Sequence, residues 1–327
     1  MDKEKIFRLF KMLGADIILR TQKKNTVTVL SLHRVSPEND FFWNPLKPAT
    51  FEKIIQHLKK YYTIISFAEI NEINAKPAKP FLVLSFDDGY YDFYEYALPL
   101  LKKYKVPSNH NIVNKCAAGN YIIWTQRMNC IFSHCRENDI DLKIEFANRT
   151  ACRNDFKNDW MQFYLDTYRT MLQLPAAERM PIIEHLENSL AFSAEVKMMN
   201  WQQVNECAAN DVEIGCHTYS HDVLSTIKSD AVLRDEIVLA ANELRSHLKK
   251  DINILALPNG KDNPAILKFS EEAGIEYILN VDDKINKWKD VKAKGIKNIY
   301  RINMVEEPMA SMILRTELLH SKLKRYV

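Results

Sequence analysis

With 327 residues and a hydrophobic fraction of 46%, the chain can form one large α/β barrel or two small domains, and its composition is that of a soluble globular protein. A net charge of +3 is too small to indicate binding of nucleic acid, and 7 glycines exclude a collagenous or low-complexity sequence. No run reaches the ~20 apolar residues of a membrane-spanning helix, and the N-terminus lacks the cleavage site of a signal peptide. The six cysteines show no disulfide spacing, so the sequence predicts a reduced, cytoplasmic protein.

The first element in chain order is a basic amphipathic segment at residues 1–25. Residues 1–24 carry seven basic and three acidic side chains, interleaved with apolar ones such as Phe7, Phe10 and Leu13. This pattern suits a helix on an anionic membrane surface, which would make the protein peripheral on the inner face of the membrane. It also suits a helix packed across the bottom of the domain that follows, and we favour this second interpretation.

From residue 26 onward, short apolar runs that indicate strands alternate with amphipathic helices. The predicted strands are Thr26–Leu32, Phe81–Phe86, Asn109–Val113, Asp211–Cys216, Ile252–Leu257, Glu276–Asn280 and Asn298–Met304. Helices are predicted at Thr50–Tyr62, with Thr50 as N-cap, and at Asp230–Lys249. A further helix opens at Pro264 and is closed by Gly274. This alternation predicts right-handed βαβ units in a barrel or a wound parallel sheet, with its chemistry at the carboxyl ends of the strands.

The alternation breaks between about residues 119 and 200. This stretch is polar and helical in pattern, and it is predicted as a helical insertion packed on the barrel. Its aromatic side chains are interpreted as core rather than as platforms for sugars. They are Trp124, Trp160, Phe163, Tyr164 and Tyr168. Because no internal repeat or linker is visible, residues 26–327 are predicted to form a single domain.

Two short segments about 130 residues apart carry side chains that can bind a metal or transfer a proton. Leu84–Gly89 ends an apolar run with Asp87 and Asp88, and His217–His221 places two imidazoles four residues apart. Together they supply three metal ligands and leave one acid free as a base, which is the minimum set for hydrolysis by a metal-activated water. Alone, each segment has a simpler interpretation, a turn for the first and a solvated loop for the second. Their shared position at strand ends favours a metal site.

The two segments resemble the first and second motifs of the polysaccharide deacetylases, carbohydrate esterase family four. The resemblance extends from about Val27 to Met304. Thr28–Val35 is similar to the first strand of the branch that acts on poly-N-acetylglucosamine and related surface glycans, and Ala256–Gly260 resembles a divergent third motif. The resemblance implies a distorted (β/α) barrel of the polysaccharide deacetylase type.

The resemblance also implies a role for each residue of the site. Asp88, His217 and His221 would hold a divalent metal, with Zn²⁺ as the expected ion and Co²⁺, Ni²⁺ or Mn²⁺ as alternatives. Asp87 would be the general base that deprotonates the water. His33, on the first strand, would be the general acid that protonates the leaving amine.

The sequence offers a second candidate for the general acid. His320 follows Leu318 and Leu319 in a pattern that resembles the late Leu-x-His of other family members. Because it lies within a basic amphipathic tail, a surface helix residue is the simpler interpretation. His33 is therefore the favoured acid.

The third motif departs from the pattern of the family. Many members carry an Arg two residues before the Pro, where it orients the base, and a Tyr after the Pro; this chain has Ala256 and Asn259. The backbone N–H of Asn259 can still stabilise an oxyanion. Arg301 or Arg34 would have to replace the missing guanidinium beside Asp87, although either can equally be a structural ion-pair partner.

These inferences predict a metal-dependent carbohydrate N-deacetylase that removes acetyl groups from N-acetylated sugars of a surface polysaccharide or its precursor. A non-catalytic glycan-binding or assembly protein on a degenerate deacetylase barrel is an alternative, because the third motif is altered. Hydrolysis of O-acetyl esters at the same site is another, because the barrel and the metal do not dictate the substrate. No nucleic-acid partner is expected.

Overall fold

The computed structural model of the chain describes residues 3–74, 78–119, 121–260 and 262–319. Its strands are β1 (Thr26–Leu32), β2 (Thr63–Ile64), β3 (Phe81–Phe86), β4 (Ser108–Ile112), β5 (Lys143–Phe146), β6 (Arg149–Cys152), β7 (Val212–Cys216), β8 (Ile254–Ala256), β9 (Tyr277–Asn280), β10 (Asn286–Lys287), β11 (Lys297–Tyr300) and β12 (Ile302–Asn303). All but β5 and β6 join one ten-stranded sheet. Six of the seven strands predicted from apolar runs are present, with ends that shift by at most two residues.

The sheet is parallel through its centre and nearly closes on itself. Its order is β1-β3-β4-β7-β8-β9-β11, and each of these neighbours is parallel to the next. The prediction of one strand at Asn298–Met304 is wrong, because that segment breaks at Arg301 into β11 and β12. Since β11 pairs with β9 while β12 pairs with β1, the break lets the segment bridge the two edges. The prediction of a distorted (β/α) barrel is confirmed.

Continuous apolarity in the strands supplies two buried faces. Val29, Val83 and Leu279, from different parts of the sheet, belong to one cluster inside the barrel. Leu84 and Phe86 belong to a second cluster that includes side chains of the surrounding helices. Because side chains alternate along a strand, the residues in phase with Val29 and Val83 point inward, and at the strand ends these are polar.

The helices surround this sheet. They are α1 (Lys3–Met12), α2 (Ala15–Thr21), α3 (Pro48–Tyr61), α4 (Phe67–Glu72), α5 (Leu98–Tyr104), α6 (Asn114–Ala118), α7 (Trp124–Glu137), α8 (Trp160–Met171), α9 (Ala176–Ser189), α10 (Trp201–Ala208), α11 (Asp230–Arg234), α12 (Ala240–Leu248), α13 (Pro264–Glu272), α14 (Trp288–Val291) and α15 (Met309–Thr316). A π-helical stretch at Asp235–Leu239 joins α11 to α12, so the helix predicted at Asp230–Lys249 forms as one continuous segment.

The capping signals were correct for one helix and wrong for another. Pro264 begins α13, and Gly274 follows its end at φ +67°, as the sequence predicts. Thr50 is not an N-cap, because Pro48 suits the first turn and starts α3 two residues earlier. Thr50 Oγ1 instead donates a hydrogen bond of 2.8 Å to Glu306 Oε1.

The insertion between residues 119 and 200 has a hydrophobic core of its own. Helices α7, α8 and α9 follow the predicted helical pattern, but β5 and β6 form an antiparallel hairpin that the sequence pattern did not indicate. Phe42 and Val223, from loops of the barrel, belong to the core of the insertion. The insertion therefore packs on the end of the barrel from which those loops emerge.

The N-terminal helices lie at the opposite end of β1. Helices α1 and α2 pack against α15, and Phe7 is buried. Among the described residues, no helix combines the length and apolarity that crossing a membrane requires.

Candidate active site

Polar side chains gather where the parallel strands end. β1 leads to His33, β3 to Asp87, β4 ends beside Asn111, and β7 leads to His217. In β1 and β3 the preceding inward positions are apolar or small, and the alternation of side chains carries His33 and Asp87 into the mouth of the barrel. Arg301 reaches the same place from the break between β11 and β12, and it is buried.

The three predicted metal ligands are brought together. Asp88 Oδ1 lies 3.2 Å from His217 Nε2 and 3.3 Å from His221 Nε2, and all three side chains are buried. One ligand atom from each falls within 4.8 Å of the others. Asp88 and His221 have left-handed backbones, with φ of +79° and +61°. Non-glycine residues rarely adopt this conformation, and it is often retained at functional sites.

The donor set fits a divalent cation. His217 Nδ1 lies 2.9 Å from the carbonyl oxygen of Ala256, which can only accept, so Nδ1 carries the proton and Nε2 presents a lone pair toward Asp88. Asp88 Oδ1 is buried and receives no hydrogen bond from the described residues. A buried carboxylate oxygen and two imidazole nitrogens, all within 4.8 Å of one another, are a ligand set that suits a divalent cation. These three residues could therefore hold a metal ion.

Asp87 is held by two donors on the same oxygen. Its Oδ1 accepts hydrogen bonds from Arg301 Nη1 at 2.8 Å and from Asn111 Nδ2 at 2.7 Å. Its Oδ2 lies 3.9 Å from His33 Nε2. Burial alone would raise the pKa of Asp87, but the charge of Arg301, with smaller contributions from His217 and His33, outweighs it and holds the pKa well below its ordinary value. Asp87 is therefore ionised.

His33 stands between Asp87 and the cleft. Its ring meets Trp43 edge to face, with the ring centroids 5.0 Å apart. Desolvation lowers the pKa of His33, and this effect exceeds the opposing influence of Asp88 and Asp87. Arg34, the other guanidinium considered for Asp87, instead pairs with Asp92 at 2.7 Å. The last alternative, His320 as the acid, lies outside the described residues.

The divergent third motif is connected to the insertion. Asn259 has a left-handed backbone at φ +58°, which Asn tolerates better than most residues. Its Oδ1 accepts a hydrogen bond of 2.6 Å from Tyr168 Oη on α8. The insertion thus contacts the residue whose backbone N–H was predicted to hold an oxyanion.

The site opens into a cavity of about 400 Å³. Its floor is formed by His33, both aspartates, both histidines and Asn259. Aromatic and aliphatic side chains form its walls. They are Phe42, Trp43, Tyr164, Leu165, Tyr168, Leu257 and Val281. The aromatics of the insertion pack in its core as predicted, and two of them, Tyr164 and Tyr168, also line the cavity.

Two contacts of the site were missed by sequence reasoning. Asn111 was counted only as part of an apolar strand, although the run Ser108–Asn111 is polar and fully buried. A polar run inside a buried parallel strand is a usable signal, because buried polar groups require partners. Tyr168 gave no comparable signal, since nothing local indicates that its hydroxyl reaches Asn259.

Comparison with known proteins shows a match to one family model over part of the chain and a shared fold over most of it. Residues 164–278 match the family model for polysaccharide deacetylase, a range that includes His217 and His221 and begins after Asp87 and Asp88. Among curated protein sequences none matches the chain. The predicted resemblance to the polysaccharide deacetylases is confirmed.

Several solved structures share the fold over most of this chain. IcaB from Ammonifex degensii has 15% identity and a TM-score of 0.58, covering 90% of this chain and 97% of its own. A Streptococcus pyogenes deacetylase, PplD, in complex with acetate has 17% identity and a TM-score of 0.55, covering 89% and 98%. A de-N-acetylase from Aggregatibacter actinomycetemcomitans has 18% identity and a TM-score of 0.52, covering 92% and 99%. At these identities the likeness concerns the fold.

Proposed function

We propose that this chain, which carries a polysaccharide deacetylase domain, is a metal-dependent hydrolase that removes acetyl groups from N-acetylated sugars of a surface polysaccharide or its precursor. The observation that carries the proposal is the 2.8 Å contact between Arg301 Nη1 and Asp87 Oδ1. Ala256 cannot orient the base, and this was the strongest argument for a degenerate barrel. Arg301, from the break between β11 and β12, supplies the guanidinium that Ala256 lacks, so the altered third motif no longer argues against catalysis.

The metal-binding part of the proposal rests on Asp88, His217 and His221. Their lone pairs converge, and Zn²⁺ is the expected ion for one carboxylate and two imidazoles. A bound divalent ion would supply Lewis acidity toward a water and an acetyl carbonyl. The bond from His217 Nδ1 to the Ala256 carbonyl fixes the ring orientation that this binding needs.

The proton transfers are assigned to Asp87 and His33. Asp87 Oδ2 would take the proton of the attacking water, because Oδ1 is already occupied by two donors. An amine is a poor leaving group unless it is protonated, and the imidazolium form of His33, which the charges of Asp88 and Asp87 favour against burial, would donate that proton from Nε2. The backbone N–H of Asn259 would stabilise the negative charge that develops on the acetyl oxygen.

Release of acetate tests this proposal. The wild-type protein should release acetate from an oligomer of N-acetylglucosamine after loading with Zn²⁺ or Co²⁺, and the Asp87→Asn and His217→Ala variants should not. Release from O-acetylated but not from N-acetylated glycan would identify an esterase instead. Binding of the glycan without any release would support a degenerate barrel.

We propose in addition that the N-terminal helices rest on an anionic membrane surface. One face of α1 and α2 packs on α15, while large apolar side chains on other faces remain exposed. These are Leu9, Met12, Leu13, Ile17 and Ile18. With seven basic residues against three acids in residues 1–24, the segment complements a bilayer that carries negative lipids.

Vesicle sedimentation tests the membrane proposal. The wild type should pellet with vesicles that contain phosphatidylglycerol and much less with pure phosphatidylcholine, and a Leu13→Ser/Ile17→Ser variant should stay in solution. Val232→Ser, which alters an exposed apolar side chain on α11, serves as the control. Equal pelleting of all three proteins would contradict the proposal.

A further inference from the structure

We infer that Asn111 is a positioning residue that, together with Arg301, fixes the carboxylate of Asp87 so that Oδ2 alone faces the reacting atoms. This inference rests on the proposed function, since it assigns a task to a side chain of the same site. Neither the resemblance nor the motifs point to Asn111, which lies on β4 between the two motif strands.

The first observation is that two donors from opposite sides share one oxygen. Asn111 Nδ2 approaches Asp87 Oδ1 from β4 at 2.7 Å, and Arg301 Nη1 approaches the same atom at 2.8 Å from the break beyond β11. Rotation of the carboxylate that exchanged Oδ1 and Oδ2 would have to break both bonds. The contact is therefore a two-sided clamp on the orientation of Asp87.

The second observation is that the Asn111 amide is itself held. Its Nδ2 also lies 3.1 Å from the carbonyl oxygen of Phe86 and 3.2 Å from Ser85 Oγ. Ser85 Oγ in turn accepts from Arg301 Nη1 at 3.3 Å. The amide and the guanidinium are thus tied to each other below Asp87, so neither can swing away independently.

The third observation is the space that Gly215 leaves for Asn111. The two residues are register partners in β4 and β7, and a Cβ added to Gly215 would come within 2.1 Å of Asn111 Oδ1. Gly215 does not have a positive φ, so its backbone conformation does not require glycine. The nearest obstacle to a side chain at position 215 is the Asn111 amide, and the next is Ile254, whose Cγ2 and Cβ would lie 3.0 and 3.1 Å from the added carbon. A methyl group at position 215 would displace that amide and weaken its bond to Asp87.

A double-mutant cycle tests the inference. Asn111→Ala and Gly215→Ala should each lower kcat by about 10- to 100-fold, because a misplaced base loses the near-attack geometry. KM should stay within about two-fold of the wild type, because the cavity walls are unchanged. The number of metal equivalents bound should also stay the same, because the metal ligands are unchanged. The double variant should be clearly faster than the product of the two single losses predicts, since the overlap of the methyl at 215 with the Asn111 amide is then removed and only its contact with Ile254 remains.

The matched control is Asn109→Ala. Asn109 lies on the same strand as Asn111, on the same inward face, and is equally buried. It accepts a hydrogen bond from Ser85 Oγ and donates one to the Glu213 carbonyl, and among the described residues it forms none with Asp87. It should lose a comparable amount of stability in urea unfolding while kcat stays within about three-fold of the wild type. Equal losses of kcat in Asn109→Ala and Asn111→Ala would mean that the effect is structural, and the inference would fall.

Two substrates separate this inference from the proposed function. All variants are assayed with an N-acetylglucosamine oligomer and with 4-nitrophenyl acetate, an activated ester whose hydrolysis also needs a base. Hydrolysis of the ester without deacetylation of the glycan would contradict the proposed substrate. The double-mutant cycle of positions 111 and 215 would then still be measured on the ester. Additive losses in the double variant, a wild-type rate in Asn111→Ala, or a wild type inactive on both substrates would each overturn the inference.

Discussion

The chain buries two clusters of charged side chains, one at each end of β1. At the amino end, Arg20 bonds Asp16 Oδ2 at 2.9 Å and Glu317 Oε1 at 3.0 Å, and Lys23 Nζ lies 3.0 Å from Glu317 Oε2. Tyr62 Oη donates to Glu317 Oε1 at 2.6 Å. Each acid in this terminal cluster forms an ion pair with an Arg or a Lys.

The cluster at the carboxyl end of β1, called the catalytic cluster after its proposed role, has a different composition. It consists of His33, Asp87, Asp88, His217, His221 and Arg301. Asp87 accepts two hydrogen bonds on one oxygen from Arg301 and Asn111, but among the described residues Asp88 Oδ1 meets no Arg or Lys and lies within 3.3 Å of one nitrogen of each of two imidazoles. Both clusters carry the cost of burying charge. In the terminal cluster, the ion pairs among its own side chains offset the free energy of burying the charges. These pairs also connect α2 and the end of α15 to the barrel. Under the proposed function a bound metal ion would complete the catalytic cluster, whereas the terminal cluster is paired internally.

The largest effect is expected from Asp87→Asn, which keeps the shape and removes the base. Acetate release should fall by about 10³-fold, because general-base catalysis contributes on that order. Metal content should not change, since Asp88 and the histidines remain. A variant that retains more than a tenth of the wild-type rate would show that Asp87 is not the base.

A somewhat smaller effect, which depends on the leaving group, is expected from His33→Gln. Release of acetate from an N-acetylated glycan should fall by about 10²-fold, because the amine needs a proton to leave. Hydrolysis of 4-nitrophenyl acetate should change by less than about five-fold, since nitrophenolate leaves without one. Equal losses on the two substrates would indicate that His33 binds or orients rather than donates a proton.

In the terminal cluster, Glu317→Gln should affect stability and leave turnover alone. Removing this carboxylate leaves Arg20 and Lys23 short of a buried partner, and such changes cost about 3 kcal/mol in the free energy of unfolding. Urea unfolding measures the loss, and kcat per folded molecule should match the wild type. A fall in kcat without a loss of stability would contradict the division between the two clusters.

The smallest effect is expected from Tyr168→Phe, which removes the hydroxyl that bonds Asn259 Oδ1. A single buried hydrogen bond contributes about 1 kcal/mol, so kcat should fall by about five-fold if the bond steadies the backbone of Asn259. The stacking of Tyr168 on Trp124 is kept by Phe, which makes this a change of the hydroxyl alone. An unchanged kcat would show that the insertion lines the cavity without affecting the oxyanion position.

The fate of individual residues shows how far sequence reasoning reaches. Asp88, His217 and His221 could be grouped because Asp88 and His217 come within two residues of the end of a strand, His221 follows His217 four residues later, and parallel strands end at one edge. The choice between Arg301 and Arg34 could not be made, because it depends on how β11 and β12 close the barrel, across more than 200 residues from Asp87. Asn111 was missed for the same reason, since only the neighbour relation of β3 and β4 reveals its partner.

The predictions that failed in the fold are places where two local features of the sequence favour different structures. Thr50 has the side chain of an N-cap, but Pro48 fits the first turn and moves the helix start. The segment from Asn298 to Met304 is apolar enough for one strand, but the closing geometry of the barrel divides it at Arg301. Propensity fixes the kind of element, whereas tertiary packing decides where it starts and breaks.

The metal content of the purified protein tests most directly the claim that the catalytic cluster is completed by a bound ion. After reconstitution with Zn²⁺ or Co²⁺ and removal of the excess, mass spectrometry of the elements should find about one equivalent in the wild type and in His247→Ala, a surface control that stacks on Trp201. His217→Ala should hold little or none. A wild-type protein that stays metal-free, or a His217→Ala variant that retains a full equivalent, would contradict the account.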